Sequence, residues 1–438
     1  MFTAGSICSK HCCGFGADHS DVMRTQRALF KLLPIILTLA VVVYIWSVKH
    51  WAFWPQTTSI PLPAHLRVDT HEGIHSRTNK YLAASKEYEI QLTPTNEVEP
   101  SSPTAVFIFT QMRSGSSFVG ELFNQHPGSF YLFEPLWAAQ YYDNGTHNVP
   151  EWQFKLLRGI ANCEFEGLEE IMEYFLTAPT FSAVQKTPSL TKLCKSNSRV
   201  QRGTINISDS ICPIPKDTLA SVLNEACQKS QLNVAKIIRI WDINFFEQIV
   251  ANDSKVGREV KILHLIRDPR AVIASQIRIF NRDEPTPFAE DFVDDTKTEN
   301  LCKQLVENVQ TQDGVPDWLL GHYALIRYED VAMAPASMTE RLYYFIGTEG
   351  DDAVFDWLEK NTNAKKPDES PYSRKRNSRD TVDAWRLKLR LSAVLKIQNI
   401  CRDALKMFGY RTVQGGAELT NLSLSLVGDM EDNLVQIS

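Results

Sequence analysis

No glycine in this chain is followed by lysine, so a Walker A nucleotide loop is excluded. Cysteine is sparse, nine in 438 residues, too few for a small disulfide scaffold. An excess of positive charge is also missing. Lys and Arg number 46 against 52 Asp and Glu, and the net charge of −6 excludes a generally basic nucleic-acid binder. Any anionic ligand must therefore meet a local basic patch. There is no internal repeat and no low-complexity tract. What remains, 43% hydrophobic and 22% charged residues, is the composition of a globular protein with a sizeable core.

One apolar run stands out. Leu32–Val48 reads LLPIILTLAVVVYIWSV, 17 residues without a charge between Lys31 and Lys49. As a helix it covers roughly 26 Å, the short end of a bilayer span. Trp51, Phe53 and Trp54 follow as an interfacial aromatic belt, and "YIWSVKHWAFW" is a poor cleavage site. Lys10, Arg24, Arg27 and Lys31 precede the span, which places the N-terminus in the cytosol and the rest outside it. Sequons at Asn144, Asn206, Asn252 and Asn421 all lie beyond the span. So do Cys163, Cys194, Cys212, Cys227, Cys302 and Cys401, an even number compatible with up to three disulfides in any of 15 connectivities. Cys8, Cys12 and Cys13 precede it, as free thiols or palmitoylation sites.

The expected organisation is a cytosolic tail (1–31), a transmembrane anchor (32–48), a Pro-, Ser- and Thr-rich stem (49–103), a main domain (104–413) and a C-terminal tail (414–438). The main domain opens on "AVFIFT" (Ala105–Thr110), a run of the kind buried in a parallel sheet. Similar runs at Val234–Trp241, Lys261–Ile266 and Ala324–Arg327 alternate with helical stretches, which predicts an α/β domain with a mostly parallel sheet flanked by helices. Val394, Ile397, Cys401, Leu405 and Phe408 recur at helical spacing and stop before Gly409.

The first strand runs into QMRSGSSF, and Phe118, Val119, Leu122 and Phe123 then fall on one helical face. Strand, Ser/Gly turn and helix N-terminus make an anion site: Gly115 turns the backbone, the helix N–H groups point outward, Ser114, Ser116 and Ser117 add hydroxyls, and Arg113 adds charge. The same turn is also an ordinary strand-to-helix connection in many α/β proteins. A second strand ends at Arg267, Asp268-Pro269 opens a turn, and a helix carries Ser275 two turns on. Arg267 and Ser275 could converge on one phosphate, or Arg267 and Asp268 could form a local salt bridge.

RSGSSF and IRDPRAVIAS, with HPGSFYLFEPLW between them and LIRYEDVA after them, resemble the Golgi carbohydrate 6-O-sulfotransferases across Ala105–Tyr410. The resemblance implies a P-loop-like sulfotransferase fold and the donor 3′-phosphoadenylyl sulfate. It also implies sulfate transfer to C6 of Gal, GalNAc or GlcNAc in a glycan or proteoglycan acceptor; no metal is expected, because the donor loop and the arginines supply the positive charge. Arg113, Ser114, Gly115, Ser116, Ser117 and Phe118 match the family's 5′-phosphosulfate loop. Arg267, Asp268, Pro269, Arg270 and Ser275 match its 3′-phosphate site, with Arg267 and Ser275 eight residues apart. Arg376, in a stretch of eight basic residues from Arg374 to Lys396 against Asp380 and Asp383, matches a basic loop that closes over the donor. The same stretch suits an acidic glycan or a solvated helix face.

Granted that donor, Arg113 would stabilise the leaving group electrostatically. Glu134, after an apolar run, would act as base with burial raising its pKa, or else pair with an arginine structurally. His126 is a competing base. Arg327, Glu329 and Asp330 suit structural pairing at a strand end. Two other function classes compete. His71-Glu72-Gly73-Ile74-His75 satisfies a zinc-peptidase pattern, although a glycine interrupts its helix and no apolar face flanks it. A non-catalytic Golgi glycan-binding protein could keep the fold, yet each position needed for chemistry is occupied.

Overall fold

The computed structural model describes residues 103–142, 148–178, 183–196, 212, 214–251, 258–280, 287–362 and 378–437. The span at 32–48, the stem up to residue 102 with His71 and His75, Arg374 to Arg376, and the sequons at Asn144, Asn206 and Asn252 lie outside them. No helix among the described residues is long and apolar enough to cross a membrane.

Five strands form the sheet: β1 (Thr104–Thr110), β2 (Ser129–Leu132), β3 (Leu232–Ile237), β4 (Glu259–Ile266) and β5 (Tyr323–Arg327). Their order is β2-β3-β1-β4-β5, and every neighbouring pair is parallel. The α/β expectation holds, and four strands fall where the apolar runs lie. β2, four residues inside a longer apolar stretch, is an addition.

Side-chain alternation along β1 divides the core in two. Ala105, Phe107 and Phe109 join one cluster, and Val106 and Ile108 join the other. Val119, Leu122 and Phe123 of helix Ser116–Asn124 pack on the second face. Ala271, Val272 and Ile273 of helix Pro269–Phe280 pack on the first. The chain thus leaves β1 and β4, which are adjacent, toward opposite faces. That divergence opens a crevice at the carboxyl ends of the two strands, where ligands of open α/β sheets bind.

The C-terminal segment is not a tail. Leu325 of β5 donates its N–H to Val435 O at 2.8 Å and accepts from Ile437 N at 3.1 Å, so residues 435–437 cover the open edge of β5. Upstream, the fully buried Arg386 donates to the carbonyls of Leu419, Leu424, Glu418 and Asn421 at 2.7–2.8 Å. The helical pattern before Gly409 also divides. Helices Leu391–Ile400 and Arg402–Met407 meet at Cys401.

The six cysteines beyond the expected span pair as Cys163–Cys227, Cys194–Cys212 and Cys302–Cys401. The last closes 99 residues and the second 18. On chain entropy alone, Cys302→Ser/Cys401→Ser should cost about 5 kcal/mol and Cys194→Ser/Cys212→Ser about 3 kcal/mol. Unfolding free energies from urea titrations, taken from midpoint and slope together, test the ranking.

Candidate active site

The loop after β1 is built around two left-handed residues, Arg113 (φ 76°) and Gly115 (φ 88°). Gly115 is required twice over. A Cβ there would sit 2.1 Å from Tyr328 Cδ2, and its φ is one that L side chains avoid. Gly115→Ala should therefore destabilise the fold by about 3 kcal/mol, combining backbone strain with overpacking, as a denaturant midpoint would read. As N-cap, Gly115 offers no side-chain acceptor to helix Ser116–Asn124, whose first turn carries no acidic residue. The amide dipoles of that turn favour negative charge at the helix N-terminus.

The loop after β4 docks onto this one. Arg113 Nε donates to Ser275 Oγ at 2.9 Å, a contact across 162 residues of sequence. Arg267 Nη1 donates to the Arg113 carbonyl at 3.2 Å, and Gln276 Nε2 to that of Met112 at 3.3 Å. Arg267 also donates Nη2 to Thr381 O at 3.1 Å and lies 4.3 Å over the Tyr328 ring. Its Nε is buried without a hydrogen bond, 4.0 Å from Glu329 Oε1. Burial pushes the Glu329 carboxyl up to about 7, against the pull of Arg267, and the Asp268 charge adds to the rise.

Three residues of the second motif need correction. Asp268, Pro269 and Arg270 are buried and turned inward. The local ion pair joins Asp268 to Arg270 at 2.7 Å, not to Arg267. Arg270 also donates to Gln398 Oε1 and Arg411 O and lies over Trp385 at 4.6 Å. Its donors are committed to the fold. Phe118 is half-buried, its ring 6.4 Å from Tyr328 and 6.1 Å from Trp357. Ser114 and Ser116 are buried within the loop, whereas Ser117 reaches the next group of residues.

Glu134 follows β2 with φ 52°, so two of the three non-glycine left-handed residues described lie at this site. Strain of that kind persists only where surrounding contacts impose it. Lys236 Nζ donates to Glu134 Oε1 at 2.8 Å and to Ser117 Oγ at 3.0 Å. Arg239 donates Nη1 to Glu134 Oε2 at 3.0 Å and Nε to Gln140 Oε1 at 2.8 Å. Lys236 and Lys186 also lie against the Phe133 ring, at 4.3 and 4.5 Å.

This overturns the expected pKa of Glu134. Burial alone would raise it, but Lys236 and Arg239 hold it down at about 2. His126 is not brought to the site. Beyond the far end of helix Ser116–Asn124, its Nδ1 accepts the Gly128 N–H at 3.0 Å and its ring stacks on Tyr343. The basic stretch after Arg374 is partly structural too. Arg386 is buried, Lys396 pairs with Asp295 at 2.5 Å, and Arg376 lies outside the described residues. Arg327 pairs with Asp330 at 2.7 Å, as strand-end pairing predicts. Lys236, Arg239, Tyr328 and Thr381 are the residues that sequence reasoning missed.

The model of the sulfotransferase domain family matches residues 103–409. Carbohydrate sulfotransferase 1 of Danio rerio is 30% identical over 75% of this chain and 83% of its own length. The chain belongs to the carbohydrate sulfotransferases. Carbohydrate sulfotransferase 3 of Homo sapiens is also 30% identical to this sulfotransferase, over 74% of it and 70% of the human protein. Among solved structures, the sulfotransferase domain of the Synechococcus PCC 7002 olefin synthase aligns at 14% identity. It covers 71% of this sulfotransferase and 98% of that chain, with a TM-score of 0.36. Within the sulfotransferase site, Lys236 and Arg239 both pair with Glu134, and Arg113 is close enough to act on the Lys236 charge. That is the local cationic patch an anionic ligand needs in a protein of net charge −6.

Proposed function

We propose that this chain transfers a sulfuryl group from 3′-phosphoadenylyl sulfate to the C6 hydroxyl of a Gal, GalNAc or GlcNAc residue in a glycan or glycosaminoglycan. It does so as a single-pass type II Golgi membrane protein with its sheet domain in the lumen. One observation carries the reading: the loops after β1 and β4 meet through Arg113, Ser275 and Arg267 at the crevice between diverging helices. A donor with phosphates at both the 3′ and 5′ positions needs two anion sites side by side.

The residues present suit that donor. Arg267 keeps a buried Nε without a hydrogen bond, and Gly115 leaves a cradle that a side chain would fill. Bound there, the donor supplies an activated sulfuryl group whose transfer leaves charge on a phosphate oxygen. Arg267 and Ser275 hold the 3′-phosphate, while Ser117 and the first turn of helix Ser116–Asn124 hold the 5′ side. Arg113 neutralises the departing oxygen, and its guanidinium stays protonated throughout. Glu134 takes the acceptor proton. Three disulfides support an oxidising compartment. The C6 position rests on the family resemblance.

The test is transfer of labelled sulfate by the full-length protein to desulfated chondroitin, desulfated keratan and a GlcNAc-terminated oligosaccharide. Label at C6 of one acceptor supports the reading and names the sugar. Failure to bind adenosine 3′,5′-bisphosphate would sink it and leave a non-catalytic glycan binder. Protection of the sheet domain from protease in sealed vesicles tests the orientation.

A further inference from the structure

We propose that Lys236 is a catalytic residue whose ammonium leaves Glu134 for the donor's sulfuryl oxygens, so that one movement neutralises the transferring group and frees the base. The proposal rests on the sulfotransferase reading above and deepens it.

Lys236 projects from β3 with its side chain 4% exposed. A buried ammonium must spend its protons on partners, and the two within hydrogen-bond reach belong to opposite sides of the reaction. Ser117 lies in the first turn of the anion-binding helix, and Glu134 is the base. A shift from Glu134 toward the donor loop therefore keeps the Ser117 contact and needs only rotation about the flexible lysine stem.

The two arginines of the site cannot make that shift cheaply. Arg113 is fixed at both ends, its Nε on Ser275 and its carbonyl under Arg267. Arg239 is pinned between Glu134 and Gln140. When Lys236 departs, Arg239 stays on Oε2, so the carboxylate is neither stranded nor misoriented. Paired with both cations, Glu134 titrates near 2 and is too weak a base for a sugar hydroxyl. Removing one cation and adding the donor's negative charge both move it toward useful basicity.

The step balances without a co-reactant beyond the donor and acceptor. The acceptor oxygen forms its bond to sulfur while the bond from sulfur to the 5′-phosphate oxygen breaks. The electron pair of that bond remains on the phosphate, and the hydroxyl proton passes to Glu134. Lys236 changes partner and keeps its proton.

Two nucleotides separate this role from a structural one, because adenosine 3′,5′-bisphosphate lacks only the sulfuryl group. Calorimetry on the full-length protein without acceptor should show Lys236→Met weakening 3′-phosphoadenylyl sulfate about tenfold while changing the bisphosphate less than about twofold. With acceptor present, kcat should fall about a hundredfold, and Lys236→Arg should recover part of the preference for the sulfated nucleotide. Equal losses for both nucleotides, or none for either, would show that Lys236 only props Glu134 and would overturn the proposal. Should Lys236→Met fail to fold, Lys236→Met/Glu134→Gln removes both charges and is read by the same ratio. Wild-type protein that binds neither nucleotide would overturn the sulfotransferase reading along with it. Wild-type transfer with an unchanged ratio in the variants would overturn the Lys236 proposal alone.

Discussion

Arg113→Ala is expected to lower sulfate transfer about a thousandfold, near the upper end for loss of one preorganised donor to a developing oxyanion. Two losses combine. The guanidinium proposed to neutralise the departing oxygen is gone, and so is the Nε contact that ties the loop after β1 to Ser275. Arg113→Lys keeps the charge but not the planar fork, and about a tenfold loss should remain. Stability follows a different order. Arg113 sits at φ 76°, so Arg113→Gly should be about 1 kcal/mol more stable than Arg113→Ala, although both are inactive. Rates on the preferred acceptor, set beside urea midpoints, separate the two effects. An Arg113→Ala protein that keeps a tenth of wild-type rate would remove Arg113 from the chemistry.

The parts of this site that could be read from the sequence are those in which local chemistry and fold coincide. The loop from Arg113 to Phe118 is legible because a buried strand, a glycine turn and a helix with one apolar face follow in order. Arg267 and Ser275 are legible for the same reason. Which arginine of the second motif faces the ligand is not legible. Arg267 and Arg270 stand three residues apart, and only the fold brings Gln398 and the Arg411 carbonyl to Arg270. Tyr328 is invisible until Gly115 and Arg267 close on it from two other loops. Lys236 did leave a signal. It stands in Val234–Trp241, a run apolar enough to be buried on both faces, where a lysine needs an anion to hold it. The partner could not be named, because Glu134 lies on another strand end 102 residues away. The C-terminal segment misled in the opposite sense. Leu434 and Ile437 are buried, and Leu325 supplies the backbone groups that residues 435–437 pair with.

Glu134→Gln should lose both activity and stability, and the two losses can be taken apart. The folded carboxyl titrates near 2 against an ordinary value of 4.5, so its ionisation favours the folded state. With the side chain only 12% exposed, the gap corresponds to about 3 kcal/mol. The sign follows from the depressed folded value: the contribution is complete above about pH 5 and disappears as pH falls toward 2. Urea midpoints of wild type and Glu134→Gln should therefore differ most at neutral pH and converge on acidification. Much of the neutral-pH loss is the stranding of Lys236, a buried cation deprived of its carboxylate. Lys236→Met/Glu134→Gln replaces the pair with neutral groups and should recover most of the stability. Transfer should stay down by more than about a hundredfold, since the base and the lysine proposed to meet the sulfuryl group are both missing. Recovery of rate together with stability would mean that Lys236 and Glu134 serve only to balance each other's charge, and the proton acceptor would have to be sought elsewhere in the crevice.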